Sequence, residues 1–443
     1  MRAMRRIATR GAPGARGRLL GGAGAAAALA LVVAGCSGGG HGGTKVAPAA
    51  NVKAKASASA AAAVGLTITP GNGATGADPS GGITVTAVRG TVTNVTVRTP
   101  GDPVSGTLSQ DGRVWRSRWA LDVSQSYTVT ATASGGGSTV TTTSTFRTLT
   151  PSQTFHAQIL QGYDQAYGVG QPIILYFSQK ITDKAAVERA LEVTTSRPVI
   201  GAWYWDDSCG MAPTCAYFRP RDYWPSGTTV SFTGHLNGVQ GAPGVYGYHM
   251  LTQTFSIGPS LIAIGNVKTH STQIYYNGQL RYDWPISGGR PGDDTPDGSY
   301  LTIEKENPVL MTGPGYSLEV PYSVRFTWSG DYYHDAYWSV GEQGFTNVSH
   351  GCVNLSPTDA AIYYNLAVPG DPITIVGSPK PGTWDNGWTM WFLSWQQYLR
   401  GSATGQAVEA APDGSTFVDP SALPPDTATA PLQTAPAGNP NAS

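Results

Sequence analysis

Charge is scarce in this sequence, and cysteine scarcer. Charged residues make up 13% of the 443 positions, and 28 basic side chains balance 28 acidic ones, giving a formal net charge of zero. Such a chain carries no electrostatic footprint for a polyanion, which excludes nucleic acid as its main partner. Beyond the first 35 residues, no run approaches the ~20 apolar positions needed to cross a bilayer. The four cysteines stand at Cys36, Cys209, Cys215 and Cys352. No further His or Cys lies near Cys209 and Cys215, so a metal reading of that pair lacks ligands. In an oxidising compartment the two close a small disulfide loop. Cys352 is left without a partner, and a free thiol in an exported protein needs a reason.

What is abundant points to strands. There are 57 glycines and 32 prolines, and Thr, Val and Tyr recur in alternating runs. That mixture predicts a mainly β chain with many turns, long enough for about three domains. Residues 1–35 hold a basic, acid-free stretch, then an apolar one closed by small residues, the layout of an export signal. Val33-Ala34-Gly35-Cys36 resembles the lipobox of bacterial lipoproteins, which implies lipidation of Cys36 and attachment to the outer face of the plasma membrane. Residues 36–64 are small and polar, a disordered tether whose ~27 residues would span roughly 30 Å as a random coil.

From 65 to 149 the period is two: Tyr127, Val129, Ala131 and Ala133 alternate with Ser or Thr. Segment 150–257 repeats the plan, and its closing LTQTFSIG echoes TSTFRTL. Two tandem immunoglobulin-like sandwiches are expected, the second stapled by Cys209–Cys215 and carrying one short helix in DKAAVERALEV. Trp115 and Trp119 are expected as core anchors, and His156, His235 and His249 as structural or solvated. A third, β-rich domain is expected over 258–379, with a hairpin at Asn277-Gly278. Its main helix follows Cys352, with Ser356 as N-cap, Pro357 at the first helical position and Asp359 in the first turn. The four tryptophans 384, 388, 391 and 395 define an aromatic clasp over 380–400, expected to pack back on that domain. Residues 401–443 lack periodicity and are expected to be disordered.

The stretch Ser349-His350-Gly351-Cys352 supplies the missing reason for the thiol. Thiolate is the nucleophile, and an ordinary cysteine is only a few per cent ionised at neutral pH, so a nearby histidine must take its proton. Two are available: His350, which would point the same way as Cys352 if the segment is extended, and His334, from a neighbouring strand. Gly351 permits close approach of substrate, and the Cys352 N–H is suited to a developing oxyanion.

The span HDAYWSVGEQGFTNVSHGCVN, from His334 to Asn354, resembles the signature of the L,D-transpeptidase (YkuD) catalytic domain, and the likeness runs over about 260–380. The sandwiches and lipobox are similar to actinobacterial, mycobacterial-type members. The resemblance implies that Cys352 is acylated, that His334 is the general base and that His350 supports the thiol. It implies that Ser349 and Asn354 wall the site, that the Tyr316 hydroxyl helps bind the oxyanion, that Trp338 lines the acyl-donor pocket and that Met311 sits in a mobile flap. Asp335 departs from the family's usual Ser; a carboxylate there would raise the His334 pKa, although the main-chain carbonyl is what orients the ring. The flap between Met311 and Tyr316 is short. The implied reaction is cofactor-free acyl transfer through a thioester. Its donors are peptidoglycan tetrapeptide stems releasing D-Ala, its products 3→3 crosslinks, and its inhibitors carbapenem β-lactams. Hydrolysis or D-amino-acid exchange would use the same acyl-enzyme. A non-catalytic wall-binding lipoprotein would be expected to lose the His or the Cys. A papain-like peptidase would place the nucleophile before the histidine, the reverse of this order.

Overall fold

The computed structural model describes residues 63–423 apart from Pro314; the leader, Cys36 and most of the tether lie outside the described residues. The alternation between 65 and 149 folds as expected into two four-stranded sheets. One orders strands 65–69, 84–88, 114–117 and 106–108; the other orders 75–77, 138–148, 126–135 and 91–98. Ile83, Val85, Val129, Ala131 and Phe146 fill the space between them. Trp119 is not among these core residues. It stacks on His235 of the second sandwich at 3.8 Å, where Glu192 joins both Arg118 (2.7 Å) and the His235 ring (3.0 Å). The expected core anchor is therefore a junction residue, because Trp119 follows the end of its strand and faces the next module. His156 and His249 are exposed.

The second sandwich sets a six-stranded sheet against a four-stranded one around Trp203, Phe218, Phe232 and Ile173. Cys209 and Cys215 are disulfide-bonded, and Lys184–Glu188 is the expected short helix, capped by Asp183. The sheet's last two strands come from the opposite end of the chain. Ala407–Ala411 pairs with Val199–Gly201 and then with Gly414–Val418. The expectation of disorder from 401 is thereby corrected for 401–423. An Ala- and Pro-rich composition hid a short period-two strand whose Val408 and Ala410 are buried in the sandwich core.

The third domain carries a five-stranded sheet ordered 279–285, 271–276, 261–266, 372–376 and 298–301. Its second hairpin, between 271–276 and 279–285, turns at Asn277 (φ 51°) and Gly278 (φ 78°), the left-handed pair that a two-residue turn demands. A second sheet orders 304–306, 323–325, 332–335 and 353–355. Pro357–Leu366 is the expected helix, with the Ser356 hydroxyl accepting the Asp359 N–H at 3.2 Å. Tyr333, Val353, Leu355, Tyr363 and Ile373 join the sheets and helix in one core.

The aromatic clasp does more than pack back on this domain. Phe392 enters the third domain's core beside Tyr300. Trp391 and Tyr398 instead sandwich the fully buried Arg219 of the second sandwich, at 4.2 and 4.3 Å from their rings. The Trp391 indole N–H donates to Gly170 O at 2.8 Å, and the Tyr398 hydroxyl donates to Tyr217 O at 2.8 Å. The clasp thus cements the two domains to each other.

Candidate active site

Two short parallel strands set the site. Tyr332–Asp335 pairs with Val353–Leu355 so that His334 stands opposite Asn354. Side chains alternate along a strand, so Cys352, two residues before Asn354, lies on the face that His334 occupies. Both side chains line one cleft of about 360 Å³ with Met311, Tyr316, Trp338, Ser349 and His350.

His334 is buried, and its Nδ1 lies 2.7 Å from the main-chain oxygen of Asp335. A carbonyl only accepts, so Nδ1 must carry the hydrogen and Nε2 the lone pair. The ring is therefore held in the tautomer a proton acceptor needs. Burial pushes its pKa down to about 4, with the Asp335 carbonyl pulling weakly the other way. The Asp335 carboxylate has no part in this, which corrects the expectation that it would raise the histidine. The carboxylate is itself buried, its Oδ1 lacks a hydrogen bond, and burial raises its own pKa.

Cys352 is a free, half-buried thiol 3.7 Å from the Gly330 carbonyl, to which it donates. Burial, reinforced by the nearby Asp331 carboxylate, pushes it up to about 12; the Tyr332 main-chain N–H opposes the rise. The resting pair is thus neutral thiol and neutral imidazole. The sulfur's position depends on the bend before it. The Ser349 hydroxyl donates to Cys352 O at 2.6 Å and accepts the Gly351 N–H at 3.2 Å. Gly351 has φ 126°, and a Cβ there would stand 2.4 Å from Asp331 Oδ1. Only glycine fits. The Cys352 N–H is taken by no acceptor among the described residues.

That bend also corrects the reading of His350. The segment is not extended at Gly351, so the same-side argument fails. His350 is exposed at the cleft rim, its ring tilted by 34° against Tyr316 at 5.0 Å between ring centres. Tyr316 and Met311 belong to one hairpin, Val309–Gly313 with Tyr316–Val320, which arches over the cleft as a tight flap. Met311 and Leu318 pack with Cys352 against Val309, Val320 and Tyr332. Trp338 stacks on His334 at 5.9 Å and is 44% exposed, leaving indole surface open to the cleft. The Asn354 amide donates to Ser339 Oγ at 2.9 Å, and its main-chain N–H donates to Ser287 O, which ties the strand to the loop before it.

Sequence reasoning passed over Gly330 and Asp331, which hold the thiol's hydrogen and shape the Gly351 bend. Asp331 is buried and accepts from Thr327 and Ser329 hydroxyls. The turn TWSGD carries no catalytic signature; only its spatial neighbour gives it a role.

The bacterial Ig domain family matches residues 74–240, and the L,D-transpeptidase catalytic domain family matches residues 261–375. L,D-transpeptidase 2 of Mycobacterium tuberculosis is 32% identical over 352 residues, covering 76% of this chain and 85% of the relative. L,D-transpeptidase 1 of the same species is 37% identical over 220 residues, 47% of this chain and 80% of the relative. A solved L,D-transpeptidase in complex with imipenem is 35% identical, covers 49% of this chain and 97% of that one, and superposes with a TM-score of 0.42.

Proposed function

This chain belongs to the L,D-transpeptidase family, and from that premise we propose that it crosslinks peptidoglycan stems 3→3 through a thioester on Cys352. The observation that supports this most is the shared cleft of a thiol and an imidazole whose tautomer is fixed with Nε2 unprotonated. Because the thiol sits near 12 and the imidazolium near 4, a free ion pair is disfavoured. The S–H turns from Gly330 O toward Nε2, and its proton leaves as the C–S bond forms at the L-centre carbonyl of a tetrapeptide. The oxyanion takes the free Cys352 N–H and the Tyr316 hydroxyl. Collapse breaks the C–N bond, and His334 gives its proton to the departing D-Ala amine. An amine from a second stem then attacks the thioester, His334 takes that proton, and the thiol is restored. No metal or organic cofactor enters the scheme.

Met311 and Trp338 provide apolar walls for the donor, Ser349 and Gly351 hold the nucleophile's bend, Asn354 fixes the strand, and His350 backs Tyr316. The imipenem complex of a relative supports acylation by carbapenems here. Export, lipidation at Cys36 and a stalk of tether plus two sandwiches reaching into the wall complete the proposal. Intact-mass analysis with meropenem tests it: one adduct on wild type and none on Cys352→Ala is expected. Incubation with a disaccharide-tetrapeptide must then give crosslinked dimer and free D-Ala; tripeptide alone would mean hydrolysis.

A further inference from the structure

The outward face of the first sandwich has a chemistry unlike an ordinary solvated sheet. Three of its four strands, Thr91–Arg98, Ser126–Gly135 and Ser138–Thr148, run antiparallel, with one bulge between Val92 and Asn94. Their inward residues are core; their outward ones are almost all hydroxyls, with no acid and no lysine. Cross-strand hydroxyls bond to each other at Thr130–Thr143 (3.1 Å), Thr132–Thr141 (3.0 Å) and Ser134–Thr139 (2.9 Å). Each such pair spends one hydrogen internally and keeps a second donor with several lone pairs facing outward. The result is a lattice that both donates and accepts, repeating about every 4.8 Å across strands and about 6.8 Å along them. At one end stand exposed Arg98 and Arg147, the face's only charges.

An uncharged lattice of donor–acceptor sites sheds water at lower cost than a charged face. It matches a ligand whose own groups are hydroxyls and amides at regular spacing. The two exposed guanidiniums add charged donors suited to a carboxylate. We propose that this face docks the glycan strand of the wall, an extended N-acetylated polysaccharide, with Arg98 and Arg147 receiving the carboxylate of an attached peptide. The inference rests on the reading that the third domain works on stem peptides, and it gives the first sandwich a grip on the same polymer.

Co-sedimentation of the exported chain with purified insoluble sacculi tests it. Thr130→Val/Thr132→Val/Thr141→Val/Thr143→Val keeps shape and strand preference, and should weaken binding at least tenfold with an unchanged melting temperature. Thr130→Glu, which stays soluble should the valines aggregate, should do the same. Arg98→Ala/Arg147→Ala should weaken binding several-fold at low salt only. All should form the meropenem adduct at wild-type rate, so a failure of the enzymatic reading shows separately. Sacculi stripped of peptides by an amidase should still bind the wild type. Wild-type sedimentation of the valine and glutamate variants, loss of binding on peptide removal, or no wild-type binding at all would each overturn the proposal.

Discussion

His334 and Asn354 face each other across a parallel ladder, which places the nucleophile's side chain on the histidine's face but just outside the strand. The thiol can therefore rotate between the Gly330 carbonyl and the imidazole without breaking a sheet hydrogen bond.

That arrangement fixes a pH profile. His334 accepts a proton only above about 4, and the thiol stays protonated to about 12. Acylation by meropenem should be flat from about pH 5.5 to 8.5 and fall below about pH 5. A rate that climbs steadily through neutrality would indicate a preformed thiolate instead. His334→Gln should slow the reaction by about 10²–10⁴ across the whole range.

The same burial links the site to stability. The folded His334 pKa of about 4 lies below its ordinary 6.5, so its contribution is present above 6.5 and lost as pH falls toward 4. The loss should be about 3 kcal/mol. Denaturant titrations at pH 7 and pH 4.5 should show most of it in the wild type and less in His334→Gln.

Asp335 is expected to be dispensable through its side chain. Asp335→Asn or Asp335→Ser keeps the carbonyl that holds Nδ1, so acylation should change less than about threefold. A hundredfold loss in stopped-flow acylation would show that the carboxylate matters.

Gly351→Ala should be severe. The new Cβ meets Asp331 at 2.4 Å on a backbone of φ 126°. Displacing the bend moves the sulfur, and a shift of about 1 Å costs on the order of a hundredfold in rate. Circular dichroism should show the sandwiches intact.

Truncation separates two parts of the tail. Deleting 401–443 removes Val408 and Ala410 from the sandwich core and strips the buried Glu188 carboxylate of Ser402, Ala403 and Thr404 donors. Stability should fall by more than about 3 kcal/mol. Deleting 424–443 should leave the melting temperature unchanged.

What the sequence determined was local. Asn277-Gly278 needed only its own left-handed backbone to turn, Ser356 needed only the next residues to cap the helix, and the alternating Thr and Val runs carried their own buried face. The spaced His334–Cys352 motif likewise marked the site. The tertiary structure alone decided which histidine faces the thiol, because a positive φ at Gly351 turned His350 away to the rim. It decided both protonation states, because desolvation comes from residues distant in the chain. It recruited 407–418 to a sheet two hundred residues upstream, because strand pairing is set by an open edge and a matching core, not by composition. Trp119 and the clasp tryptophans belong with these: an aromatic side chain announces burial, and only the assembled domains say against what.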